Sequence, residues 1–223
     1  MIDAVFSSKF ITKKKSNELI RKLTTLTSEH HADKLRRHIS VGGRVKSENE
    51  QGYYILDAVN TAIDRGWKIQ FQYTEYNLRK KRVLKNHGEE YIVSLYALIW
   101  DGDYYYMIGY CDNRKHMRHF RMDRVYQAPT LLEDEKALPQ PADFCLAEYV
   151  QKVFRMFGGD QETEVELLCQ ASMMNGLMDR FGPKAKTEVV DHDHFRAKIH
   201  VCLSPTFYRW VFGWNGKAKI LSP

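Results

Sequence analysis

The densest run of chemically capable side chains lies between Trp100 and Val125. It reads Trp-Asp-Gly-Asp-Tyr-Tyr-Tyr-Met-Ile-Gly-Tyr-Cys-Asp, then, three residues on, His-Met-Arg-His-Phe-Arg-Met-Asp-Arg-Val. Arginine presents a planar fork of donors suited to phosphate, and tyrosine combines a stacking surface with a hydroxyl. On a strand successive side chains alternate faces. Tyr104, Tyr106, Ile108 and Tyr110 would then share one side, opposite Tyr105, Met107 and Gly109. On the following run Met117, His119 and Arg121 would oppose Arg118, Phe120 and Met122. Both faces carry apolar groups, so two arrangements stay open. One is an aromatic core with arginines on its rim; the other gathers hydroxyls, His119, Arg121 and Arg124 around a shallow anion pocket.

Other chemistry is poorly represented. The sequence has no GxSxG, P-loop, GxGxxG or HExxH pattern, so it is not read as an enzyme and no catalytic residue is assigned. His192-Asp193-His194 falls at an expected hairpin turn without a third ligand nearby, which favours a solvated turn over a metal site. No cofactor is implied. Cys111, Cys145, Cys169 and Cys202 are too widely spaced for a CxxC ligand pair and fit reduced thiols in a cytoplasmic protein. No apolar run approaches the ~18 residues needed to span a bilayer. The net charge is +6, unevenly spread: residues 1–46 carry 11 basic and 4 acidic side chains, and 67–126 carry 11 and 7. Basic blocks separated by acidic segments suit an anionic partner.

The elements that would position these groups follow from spacing. Ser16 is a plausible N-cap for a helix over 16–39, too basic to fold alone and suited to a connector or dimerising arm. A second helix over 51–65 places Tyr54, Ile55, Ala58, Val59, Ala62 and Ile63 on one stripe and stops at Gly66. Strand-like runs at 67–73, 80–86, 91–100, 103–111 and 116–122 predict a small, strongly bent antiparallel sheet or barrel. Three prolines and Glu133-Asp134-Glu135 mark 129–145 as an interdomain linker. Beyond it come a helix over 146–157, a strand 162–169, a helix 172–181, strands 186–190 and 194–203, a helix 205–212 and a strand 217–221. That β-α-β-β-α-β order is a split sandwich. Both ends of the chain read as cut from a longer protein.

Three stretches carry a family resemblance. They are Tyr91-Ile92-Val93-Ser94-Leu95-Tyr96-Ala97-Leu98-Ile99-Trp100, Tyr105-Tyr106-Met107-Ile108-Gly109-Tyr110, and His119-Phe120-Arg121-Met122-Asp123-Arg124-Val125. Together they resemble the WYL-domain family of bacterial transcriptional regulators. The three naming letters fall on Tyr105, Tyr106 and Met107, and Leu95 stands where relatives carry proline. The resemblance implies an α+β protein in four parts. Residues 1–47 would be a helical connector, and 51–128 a WYL domain, an Sm-like or SH3-like antiparallel β-barrel with an N-terminal helix. After the 129–145 linker, 146–223 would be a ferredoxin-like α/β sandwich extension lacking its last helix.

Function follows from the same resemblance. The chain would be the effector-sensing and dimerisation region of a DNA-binding regulator, taking a negatively charged ligand, nucleotide or single-stranded nucleic acid, in the barrel. Ser94, Tyr96, Tyr106, His119, Arg121 and Arg124 carry over as pocket residues, with Tyr73 as an addition. Arg82 and Arg118 are basic neighbours by pattern, and Asp123 is expected to be structural, paired with an arginine. Duplex DNA would be reached only through a winged helix-turn-helix ahead of residue 1. A homodimer is expected, and no membrane partner. The competing reading is a direct single-stranded nucleic-acid-binding module, favoured by aromatics interleaved with arginines. A continuous basic groove would support the polymer, and a closed pocket a small anion.

Overall fold

The computed structural model describes residues 2–26, 45–142, 144–153, 162–183 and 185–222. The chain divides into two compact units, Met1–Gln140 and Pro141–Pro223. The first opens with α1 (Ile2–Ser7) and α2 (Lys13–Thr24). Thr12, not Ser16, caps α2, its hydroxyl accepting from the Lys15 N–H at 3.2 Å. Ser16 lies buried inside the helix and accepts from Lys46 Nζ at 2.8 Å. Both residues are hydroxylic, and the cap goes to the one that can turn back onto a free N–H in the first turn. The expected continuation over 27–39 lies outside the described residues.

α3 (Gly52–Arg65) buries Ile55, Val59 and Ala62 at helical spacing, while Tyr54, expected on the same stripe, is 67% exposed. Gly66 ends it at φ 65°, donating back to the Ala62 and Ile63 carbonyls. Seven strands follow: β1 (Trp67–Gln72), β2 (Thr74–Tyr76), β3 (Arg82–Leu84), β4 (Glu90–Asp101), β5 (Tyr104–Cys111), β6 (His116–Arg121) and β7 (Thr130–Lys136). Five form an antiparallel sheet in the order β6-β5-β4-β1-β7, and β2 and β3 make a separate hairpin. An isolated bridge joins Tyr73, directly after β1, to Val125, four residues beyond β6. Among the described residues the ladder does not close, so the expected barrel is observed as an open sheet.

The main departure is β7. Residues 130–136, expected within a linker, pair with the free edge of β1. Lys68 on β1 reaches Glu135 at 3.1 Å and Asp112 at 2.8 Å, so one carboxylate of the acidic patch is an ion-pair partner within the sheet. The core also decides which strand faces point inward. Met107, Phe120 and Met122 join Ile55, Val59, Ile69, Phe71 and Val93, so His119 and Arg121 face away from that cluster. Tyr106 and Ile108, on the other side of β5, are buried outside it. Gly109 is a close-approach position: a Cβ there would lie 2.3 Å from the Ser94 carbonyl oxygen. Next to it the β4–β5 register shifts between Leu95 and Ala97, a bulge that kinks β4.

The second unit contains α4 (Leu146–Lys152), β8 (Glu162–Gln170), α5 (Met174–Phe181), β9 (Lys186–Val189), β10 (His194–Cys202), α6 (Pro205–Phe212) and β11 (Ala218–Ser222). Residues 154–157 of the first expected helix lie outside the described residues. The sheet order is β11-β8-β10-β9. Val165, Leu167, Cys169, Phe195, Ala197, Ile199 and Val201 form its buried face and pack against Leu177 of α5 and Phe207 and Val211 of α6. Ser204 caps α6 by accepting from the Phe207 N–H at 3.2 Å, and Pro205 opens the first turn. No helix among the described residues is long and apolar enough to cross a membrane.

Candidate ligand pocket at the end of β6

A pocket of about 240 Å³ opens where β6 runs into a single 3-10 turn, Met122–Arg124. Three segments wall it. Tyr104 of β5 with Arg121, Asp123 and Arg124 forms one side, and Thr74, Glu75, Tyr76 and Arg82 of the β2–β3 hairpin form the second. The segment that leads into α3, residues 45–48, forms the third. Hydrogen bonds from side chains to backbone carbonyls hold these walls together. The Thr74 hydroxyl donates to the Arg124 carbonyl at 2.7 Å. Asn49, buried just before α3, donates to the carbonyls of Val125 at 2.8 Å and Asp123 at 3.3 Å.

Four cations and three carboxylates line the cavity, and their pairing decides its field. Arg121 makes a fork to Asp123, Nε to Oδ1 at 3.1 Å and Nη2 to Oδ2 at 2.8 Å. Its guanidinium also stacks over the Tyr104 ring, 3.4 Å from the centroid. Burial works to lower the Arg121 pKa, but the hydrogen bonds and charge of Asp123 hold it above the ordinary arginine value. The Lys46 ammonium donates to the carbonyls of Val5 and Ser8 and to the Ser16 hydroxyl. Arg82 is held by neutral oxygens, Nε to Thr74 Oγ1 at 2.7 Å and Nη2 to the Asp123 carbonyl at 2.8 Å. Those bonds orient its fork without cancelling its charge. No carboxylate among the described residues pairs with Arg124, which lies exposed at the rim. Among the described residues Arg82 and Arg124 are thus the pocket's two forks without a carboxylate partner, in a lining that also holds Glu48 and Glu75.

Residues 54–130 match the family described as the WYL domain. The chain carries a WYL domain. It runs from the first turn of α3 to the first residue of β7 and holds every pocket residue except 45–48. A solved structure of proteasome accessory factor B/C (PafBC) of Arthrobacter aurescens is similar at a TM-score of 0.39 and 14% identity, covering 83% of this chain and 27% of that one. The chain thus spans about a quarter of that protein. No curated protein matches it.

Within the WYL domain, the residues singled out from sequence separate into three groups. Arg121 and Arg124 line the pocket. Tyr73 lies behind it: its hydroxyl accepts from the Arg121 N–H at 2.9 Å, its ring packs edge-on against Phe120, and burial pushes its pKa up to about 12. Tyr106 pairs with Arg121 across β5 and β6 but is buried outside the lining, and burial raises its pKa. His119, opposite Ile108 on β6, is also outside the lining. Ser94 and Tyr96 serve another place. Ser94 Oγ accepts from the Leu138 N–H at 2.9 Å, and the Tyr96 hydroxyl donates to the Pro139 carbonyl at 3.3 Å. These two residues bond the chain after β7 and do not line the pocket. Arg82 was visible in sequence only as a basic neighbour and Tyr104 only as one of the hydroxyls on the Tyr106 face; Lys46, Thr74 and Tyr76 carried no signal that set them at a site.

Proposed function

We propose that the WYL domain senses a negatively charged effector, nucleotide or single-stranded nucleic acid, at this pocket. The observation that carries the reading is the pair of forks without a carboxylate partner, Arg82 and Arg124, converging on one cavity beside the Arg121–Tyr104 stack. A phosphate-sized anion meets both forks, and the exposed ring of Tyr76 on the rim offers a face to a base. The role is binding, not catalysis. The chain is then the sensing and dimerisation region of a DNA-binding transcriptional regulator working in the cytoplasm. Occupancy of the pocket biases the arrangement of two protomers, and the helical segment ahead of α3 passes that bias to a DNA-reading domain. In this reading the open sheet with its Tyr73–Val125 bridge is an Sm-like barrel parted at one seam. The second unit is ferredoxin-like, its own four strands lying in the order 4-1-3-2.

Calorimetric titration with thymidine 5′-monophosphate tests the pocket. Losing one charge-assisted hydrogen bond removes ~1.5–3 kcal/mol, so Arg124→Ala weakens binding roughly ten- to a hundred-fold. Arg124→Glu adds repulsion and abolishes it, while Arg196→Glu in the second unit leaves it unchanged. Equal affinity in Arg124→Glu and the wild-type chain would refute the assignment. Sedimentation tests the dimer, which a monomer at every concentration would exclude.

A further inference from the structure

The segment that closes the pocket's third side is stitched to the helical arm of α1 and α2. The Ser47 N–H donates to the Lys9 carbonyl at 2.8 Å. The Lys9 ammonium pairs with Asp103 at 3.2 Å and lies 5.6 Å from the centroid of the Tyr104 ring, on which Arg121 also stacks. Phe10 is buried and meets the Tyr105 ring edge-on at 5.1 Å. The arm is thus seated on the start of β5, where Tyr104 enters the pocket wall.

Lys46 stands between arm and pocket. It lines the cavity, yet its ammonium is turned onto the arm, donating to the carbonyls of Val5 at 3.1 Å and Ser8 at 2.8 Å and to the Ser16 hydroxyl at 2.8 Å. An ammonium has three N–H groups, and these three oxygens take them. The diversion decides the balance of charge in the cavity. Without the Lys46 ammonium, Arg82, Arg121 and Arg124 face an equal number of carboxylates in the lining, Glu48, Glu75 and Asp123. With it, the cations are in excess. The three acceptors on the arm are neutral, and an ammonium bonds more strongly to an anion than to a neutral oxygen. The flexible four-carbon stem of lysine lets the head change partners. We propose that Lys46 is an autoinhibitory switch, for which the docked arm and an anion in the pocket compete. When Lys46 joins Arg82 and Arg124 on the anion, the first turns of α2 lose their tie to residues 45–48 and the arm loosens. The competition is reciprocal: whatever loosens the arm's hold on Lys46 tightens the pocket by the same factor. This rests on the anion-binding reading of the pocket and adds how its affinity is set.

Calorimetry with thymidine 5′-monophosphate and amide hydrogen exchange of the arm test it on the full chain. Ser16→Ala removes one of the three oxygens that hold Lys46, so the monophosphate binds roughly tenfold tighter than to the wild-type chain. Lys46→Met keeps the stem and removes the ammonium, so Ser16→Ala gains nothing in that background. Saturating monophosphate speeds exchange at the amides of Lys13–Thr24 in the wild-type chain, the opposite of what a ligand that only stabilises the fold does. In Lys46→Met it leaves those rates unchanged. Wild-type affinity in Ser16→Ala overturns the switch while the pocket stands. So does a gain that persists in the Lys46→Met background, or an arm that exchanges no faster with the monophosphate bound. Failure of both the wild-type chain and Ser16→Ala to bind the monophosphate overturns the switch and the pocket together.

Discussion

Arg121→Ala is expected to destabilise the first unit, because the side chain is already committed to Asp123 and Tyr104. The Arg121 and Asp123 side chains are 21% and 12% exposed, so the fork between them is largely shielded from water. Removing the arginine costs a charge-assisted pair, ~1.5–3 kcal/mol, and leaves the Asp123 carboxylate desolvated without its partner. Loss of the stack on Tyr104 adds ~0.5–1 kcal/mol. A net loss of about 2–4 kcal/mol is expected. Pulsed thiol labelling with peptide mapping reads this unit by unit, since Cys111 is fully buried in the first and Cys169 in the second. With tenfold per 1.4 kcal/mol, Cys111 labels roughly 30- to 700-fold faster in Arg121→Ala. Cys169 keeps its wild-type rate. An unchanged Cys111 rate would refute the structural role of the pair, and equal acceleration of both thiols would refute its confinement to the first unit. The cycle with Asp123→Ala isolates the pair: its coupling energy is positive if the fork is what stabilises.

Gly109→Ala drives a Cβ into the Ser94 carbonyl, a backbone atom that cannot swing aside, so the β4–β5 ladder must shift at a cost of at least ~1–3 kcal/mol, read as faster Cys111 labelling. Ser94→Ala leaves the Leu138 N–H without its acceptor and destabilises by about 1–3 kcal/mol, with monophosphate affinity unchanged in calorimetry. Tyr73 titrates near pH 12 in absorbance at 295 nm, and the step is lost in Tyr73→Phe. Since its unfolded value is about 10, the stability it contributes is complete below pH 10 and is lost as pH rises toward 12, by about 2–3 kcal/mol. A chain that holds its stability through that window would refute the burial of this hydroxyl.

The elements whose signals are local were legible in the sequence. The helix expected over 205–212 is α6, and Gly66 marks the end of α3, because caps and turns are decided by neighbours a few residues away. The strand alternation of 104–110 and 116–122 was equally plain, and so was the grouping of Arg121 with Arg124. Which side of those strands faced the core was not, since both sides carry apolar groups; packing against Ile55 and Val59 of α3 settled it. β7 was hidden because its acidic residues resemble a linker, and it is a strand only because the open edge of β1 supplies hydrogen-bond partners and Lys68 an opposite charge. The site was assigned by the same division. Ser94 and Tyr96 looked like pocket residues, yet they bond the backbone at 138–139, more than forty residues along the chain. Arg82 reaches the turn after β6 because the hairpin folds its side chain onto the carbonyls of Asp123 and Val125, about forty residues away. Spacing along a chain reports which groups are neighbours on one element; it carries no record of which elements a hydrogen-bonded edge or a buried face will bring together.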